Sequence, residues 1–130
     1  MKISYMDGFK FAIENQGIEV ITDQRPPAGG GEGFEPVEFL GAALGGCVAV
    51  YAVDFLRRNE LPLEGFAVDV EWTGALHPKR IGAFDLKVRL PGGLTDRQRK
   101  SLGRIVKACT VHSTLEHPPE IQVELVENAG

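Results

Sequence analysis

From Phe39 to Val53 the chain runs for 15 residues without a charge. Pro36 stands just before this run, at a first helical position where a missing N–H is harmless. Asp54 and Arg58 follow it four residues apart, and Arg57 and Arg58 suit a helix C-terminus. The spacing predicts a helix over Pro36–Leu56, apolar nearly all round, and such a helix has to be covered on every side. A membrane span needs about 17–25 apolar residues. This run is shorter and holds Gly41, Gly45 and Gly46, so a buried core helix is expected instead. Each glycine costs a helix interior roughly 1 kcal/mol relative to alanine. Gly41, Gly45 and Ala49 recur every four residues, as do Ala42 and Gly46, a spacing that lets another backbone approach. The expectation is a helix packed tightly on a second element, the same helix of another copy included. Its one reactive side chain is Cys47.

The 130 residues suit one domain, spanning 1–130, with a single core. A net charge of -4 and a pI near 5.4 argue against nucleic acid as a main partner, which would call for basic patches. The opening Met1-Lys2-Ile3-Ser4-Tyr5 lacks the basic-then-apolar form of a secretory signal. A cytoplasmic protein with no membrane partner is therefore expected, and there thiols stay reduced and disulfides are mostly transient or catalytic. Cys47 and Cys109 gain weight in that setting.

In chain order, Ile3–Met6 and Phe9–Ile13 flank Asp7-Gly8 as a hairpin, and Ile18–Thr22 follows Asn15-Gln16-Gly17 as a third strand. Asp23–Glu35 is a glycine- and proline-rich loop around a lone Arg25; long loops beside core helices are often functional. After the helix, Phe66–Trp72 and Phe84–Leu90 alternate as strands covered on one face, with a polar loop over Thr73–Ala83. Thr95 and Gln98 have the form of a capping box for a second helix ending near Ala108. Thr110 is placed to cap a further short turn through Leu115, and Ile121–Leu125 alternates as a last strand. The expected fold is α+β: an antiparallel six-stranded sheet with a long buried central helix and a second helix. One sheet covers one side of the central helix only, so a two-fold homodimer is expected to cover the other.

Cys47 is, at its simplest, a small hydrophobe in a core helix. Cys109 ends the second helix and precedes Thr110, where backbone N–H groups and a helix dipole would stabilise a thiolate. A structural disulfide between them would add about 4 kcal/mol in a chain-entropy account, but the expected compartment disfavours it. A redox pair, one thiol attacked and the other resolving, is the functional reading. Two others compete with it. Cys109-x-x-His112 with His117 offers zinc-ligand chemistry, although Pro118-Pro119 and the lack of a Cys-x-x-Cys weaken it. A dimer that merely binds a small apolar ligand in an interface pocket needs no chemistry at all.

Pro36-x-Glu38-x-Leu40 running into Ala42-Ala43-Leu44-Gly45-Gly46-Cys47, then Lys107-Ala108-Cys109-Thr110-Val111 and an alternating strand, resembles the OsmC/Ohr family. The Ala-Leu-Gly-Gly-Cys form is most similar to its YhfA-like branch. The resemblance covers nearly the whole chain. It implies an intertwined homodimer with two sites at the interface and no cofactor. Its small-molecule substrate would be an organic hydroperoxide or hydrogen peroxide. Cys47 would be the peroxidatic residue and Cys109 the resolving one, with an external thiol as reductant and a role in oxidative or osmotic stress defence. Peroxidase members carry a glutamate directly after the motif proline, paired with an arginine from the N-terminal strand region. Here Val37 takes that position, and no arginine precedes Arg25. Glu38, nine residues before Cys47, is expected about 180° round the helix from it. The helix face of Cys47 carries Leu40, Leu44 and Tyr51, with Asp54 and Arg58 beyond, a setting that tends to raise a thiol pKa.

Overall fold

The structure, a computed structural model, describes residues 1–128. Its N-terminal part is an antiparallel meander of β1 (Lys2–Asp7), β2 (Lys10–Asn15) and β3 (Ile18–Thr22). Gly8 turns the first hairpin at φ +51, and Gln16 and Gly17 turn the second at φ 50 and 82. Two successive left-handed residues match the right-handed twist of the flanking strands. Loop 23–35 then returns along β3, where Thr22 bridges Phe34 in parallel.

The central helix α1 (Pro36–Arg58) has Pro36 in its first turn and the Arg58–Asp54 pair at 2.9 Å in its last. A long antiparallel hairpin follows, β4 (Ala67–Ala75) and β5 (Arg80–Arg89). Next come α2 (Asp96–Lys107), capped by the Thr95–Gln98 box, and the short α3 (Thr110–Glu116). α1 lies on the β4–β5 sheet. A Cβ at Gly41 would stand 2.9 Å from the Trp72 ring and one at Gly45 2.6 Å from Val70 Cγ2. These two glycines therefore serve helix–sheet approach within one chain. Towards its C-terminus α1 buries Ala52, Phe55 and Leu56 against Leu102 of α2. In its middle it buries Leu44 and Val48 against Cys109. α1 is long and apolar enough to span a membrane by length and composition; in this fold it packs as the core helix.

Several expectations change. Among the described residues there are five strands in two separate sheets, not six in one. Ile121–Leu125 is no strand within the chain: Ile121, Val123 and Leu125 are 84%, 83% and 94% exposed, and no ladder claims their backbone. The polar loop over Thr73–Ala83 shrinks to four residues, because both hairpin strands continue beyond the helix they cover. Out there both faces meet solvent, so the alternation that marks a half-buried strand is missing. Within one chain α1 is covered on one side only, as expected of a helix on a single sheet. Ala42, Ala43, Gly46 and Val50 are exposed, and a Cβ at Gly46 would meet nothing within 4 Å.

Candidate functional site

Cys47 and Cys109 come together. Cys47 sits mid-helix in α1, half-buried, while Cys109 is fully buried directly after α2, and both are free thiols. They share one apolar cluster with Leu44, Val48, Tyr51, Phe84, Leu86 and Val111. The short α3 is responsible for the placement. Cys109, rather than Thr110, is its N-cap, and the Cys109 Sγ accepts the His112 N–H at 3.3 Å. Burial pushes the Cys109 thiol up, and the neighbouring Cys47 adds to this against the His112 N–H. The thiolate stabilisation expected from the helix start is thus outweighed by desolvation. Tyr51, one turn after Cys47, meets the Thr110 hydroxyl at 3.3 Å, so α1 and α3 are tied beside the two sulfurs. Nothing in the sequence periodicity marks Tyr51 as that tie.

Val37 offers no carboxylate, yet an acid–base pair exists at other positions. Arg25 Nη2 donates to both Glu38 oxygens, at 2.8 and 2.9 Å, and its Nε lies 3.9 Å from Glu35. Glu38 also accepts the Glu35 N–H at 3.0 Å. That backbone bond first, and Arg25 second, outweigh burial and hold the Glu38 carboxyl below the usual range. Nine residues along a helix is about 13.5 Å, so this pair is out of reach of the Cys47 of its own chain.

The loop that presents Arg25 is closed by Asp23, which is 2% exposed. Its Oδ1 accepts the Gln24 N–H at 2.7 Å and its Oδ2 the Glu32 N–H at 3.2 Å. Burial pushes this carboxyl up, but the N–H groups of Glu32, Gln24 and Gly30 overcome it and set it below its ordinary value.

A trough of about 940 Å³, lined by neither cysteine, opens between Leu40, Leu44 and Val48 of α1 and Phe84, Leu86 and Leu115, with Arg80 and Lys107 also lining it. His112 Nε2 lies 2.6 Å from Glu116. Among the described residues no three His, Cys, Asp or Glu side chains gather as a metal would need, so Cys109, His112 and His117 do not assemble into a zinc set.

A protein-family profile described as OsmC-like protein matches residues 29–124. Solved structures share the fold. One is a protein from Psychrobacter arcticus 273-4 assigned to the osmotic stress induced and detoxification response, 24% identical at TM-score 0.78 over 87% of this chain and 85% of that one. Another is an OsmC-like protein of unknown function from Vibrio cholerae, 12% identical at TM-score 0.67 over 84% and 80%. A third is an organic hydroperoxide resistance protein from Legionella pneumophila, 15% identical at TM-score 0.59 over 88% and 85%. No curated protein matches the chain by sequence.

Proposed function

Because the chain belongs to the OsmC-like family, we propose that it is a thiol-dependent peroxidase that reduces organic hydroperoxides through Cys47 and Cys109. It would work as a cytoplasmic homodimer, with a role in stress defence. The observation that carries this reading is the pairing of a half-buried free thiol, Cys47, with a fully buried one, Cys109, in a single cluster. The Cys47 thiolate attacks one peroxide oxygen. The O–O bond breaks, the alkoxide leaves and takes a proton, and Cys47 becomes a sulfenic acid. Cys109 sulfur then attacks Cys47 sulfur; the S–S bond forms, the S–O bond breaks, and the Cys109 proton leaves with the hydroxyl as water. Two external thiols reduce the disulfide and emerge as one disulfide of their own. Burial suits Cys109 to the second role, since a protonated, shielded thiol does not compete for peroxide.

The homodimer is supported by surfaces that one chain leaves bare: the Ala42–Gly46–Val50 stripe of α1, Ile3 and Tyr5 of β1, and Ile121–Val126. A two-fold axis perpendicular to α1 makes paired helices antiparallel. With the axis between Ala42 and Ala43, position 38 lies as far before the midpoint as position 47 lies after it. The Arg25–Glu38 pair of one protomer then stands level with Cys47 of its partner, and the cation there favours the thiolate.

Peroxide consumption with cumene hydroperoxide and dithiothreitol tests the reading. Cys47→Ser is expected to abolish turnover, and Cys109→Ser to let a dimedone-reactive sulfenic acid accumulate. Equal rates in wild type and Cys47→Ser would refute the peroxidase. The trough favours a second reading, a non-catalytic dimer holding an apolar ligand against Leu40, Leu44 and Val48 of α1. It predicts no turnover and a ligand that co-purifies.

A further inference from the structure

We infer that Asp23 is a positioning residue: its buried carboxylate clamps loop 24–33 so that Arg25 is held against Glu38 in the orientation that activation of Cys47 requires. This role rests on the activation proposed above and adds the residue that makes it geometrically reproducible.

The backbone on both sides of Arg25 is fixed from within the loop. Gln24 donates its N–H to Asp23 Oδ1, and the Arg25 carbonyl accepts the Gly29 N–H at 3.2 Å. The Gln24 carbonyl accepts the Gly31 N–H at 3.0 Å. Asp23 closes the far end through Glu32, while its own N–H reaches the Phe34 carbonyl at 3.2 Å. Thr22 Oγ1 donates to that same carbonyl at 2.7 Å. Gly29 fits this clamp because a Cβ there would overlap Asp23 Oδ1 and the Gln24 carbonyl. The Arg25 side chain is half exposed, and its guanidinium is held by its two glutamates on one side and by this anchored backbone on the other.

A carboxylate is needed because the loop presents donors on both sides. Oδ1 and Oδ2 each accept an N–H, and asparagine has one acceptor only, so its NH₂ would face an N–H whichever way it turned. Burying a carboxylate is costly unless it is hydrogen-bonded.

The experiment uses the full chain in a Cys109→Ser background, so that Cys47 is the one thiol. Its thiolate fraction is followed as the rate of iodoacetamide alkylation against pH. Asp23→Asn, Arg25→Met and the double variant are compared. Both single variants are expected to slow alkylation at pH 7 about tenfold, the equivalent of one pKa unit. The double variant is expected to be no slower than Arg25→Met. If Arg25→Met leaves the profile unchanged, the activation reading itself falls and takes this role with it. If Arg25→Met slows alkylation while Asp23→Asn keeps the wild-type profile, only the role of Asp23 falls. That role falls likewise if the two effects multiply in the double variant, since independent effects mean that Asp23 does not act through Arg25. Should Asp23→Asn fail to fold, Gly29→Ala crowds the same oxygen while keeping the charge, and is held to the same outcomes.

Discussion

A methyl group added at Gly45 is a sensitive test of how α1 meets its sheet. Its Cβ would stand 2.6 Å from Val70 Cγ2, roughly 1 Å inside favourable carbon–carbon contact. Val70 is β-branched and restricted at χ1, so it cannot simply swing aside. The helix and β4 would have to separate along the line where Gly41 and Gly45 now sit against Trp72 and Val70. Overpacking of this kind costs about 1–3 kcal/mol, against a gain of about 1 kcal/mol for alanine over glycine in a helix. The balance is a loss of about 1 kcal/mol, roughly 3–5 °C in Tm for a domain of this size. Urea unfolding of the reduced protein, followed by circular dichroism, reads it directly. A Gly45→Ala variant as stable as wild type, or more so, would refute the close approach.

Gly46→Ala, one residue on, carries the opposite logic, because nothing in its own chain lies within 4 Å of the added carbon. The proposed dimer makes it destabilising in proportion to dilution; a concentration-independent gain of about 1 kcal/mol would instead mean that no helix covers that stripe. Tyr51→Phe removes the contact to Thr110, and disulfide formation after a peroxide pulse is expected to slow about fivefold, a neutral hydrogen bond being worth about 1 kcal/mol. Burial raises the folded pKa of Cys109 above its unfolded value of about 8.5, so the unfolded chain gives up that proton first. Stability of the reduced protein should therefore be intact below that value and fall as pH rises through it, and this alkaline loss should vanish in Cys109→Ala. Val123→Glu places a charge on the bare C-terminal segment, and sedimentation should show a larger monomer fraction than for wild type.

Local chemistry made most elements legible. Pro36, the Thr95–Gln98 box and the Asp7-Gly8 and Gln16-Gly17 turns act through their immediate neighbours, and each falls where the sequence puts it. The strand tips beyond Trp72 were not legible, since a stretch wetted on both faces has no reason to alternate. Nor was the part played by Cys109 at α3: a thiol is not among the common N-cap side chains, and Thr110 beside it is. The Arg25–Glu38 contact joins residues 13 apart across a folded loop, so no helical wheel reveals it. The wheel was correct that Glu38 and Cys47 of one chain lie far apart. It was silent on Asp23, whose partners are backbone groups and therefore have no signature in the sequence.

The bare segments at the two ends of the chain bear on how the protein comes into being. The meander β1–β3 leaves a ribosome before the helix and hairpin that form the core, and Ile121–Val126 after them, and each arrives with apolar side chains that the middle of the chain does not cover. In the proposed dimer a second copy supplies that cover, and until it does such a chain is exposed to aggregation and to proteases. Abundance would then be governed by encounter: below the association concentration newly made chains are cleared, and above it they persist. The amount of protein in a cell should respond to synthesis more steeply than in proportion.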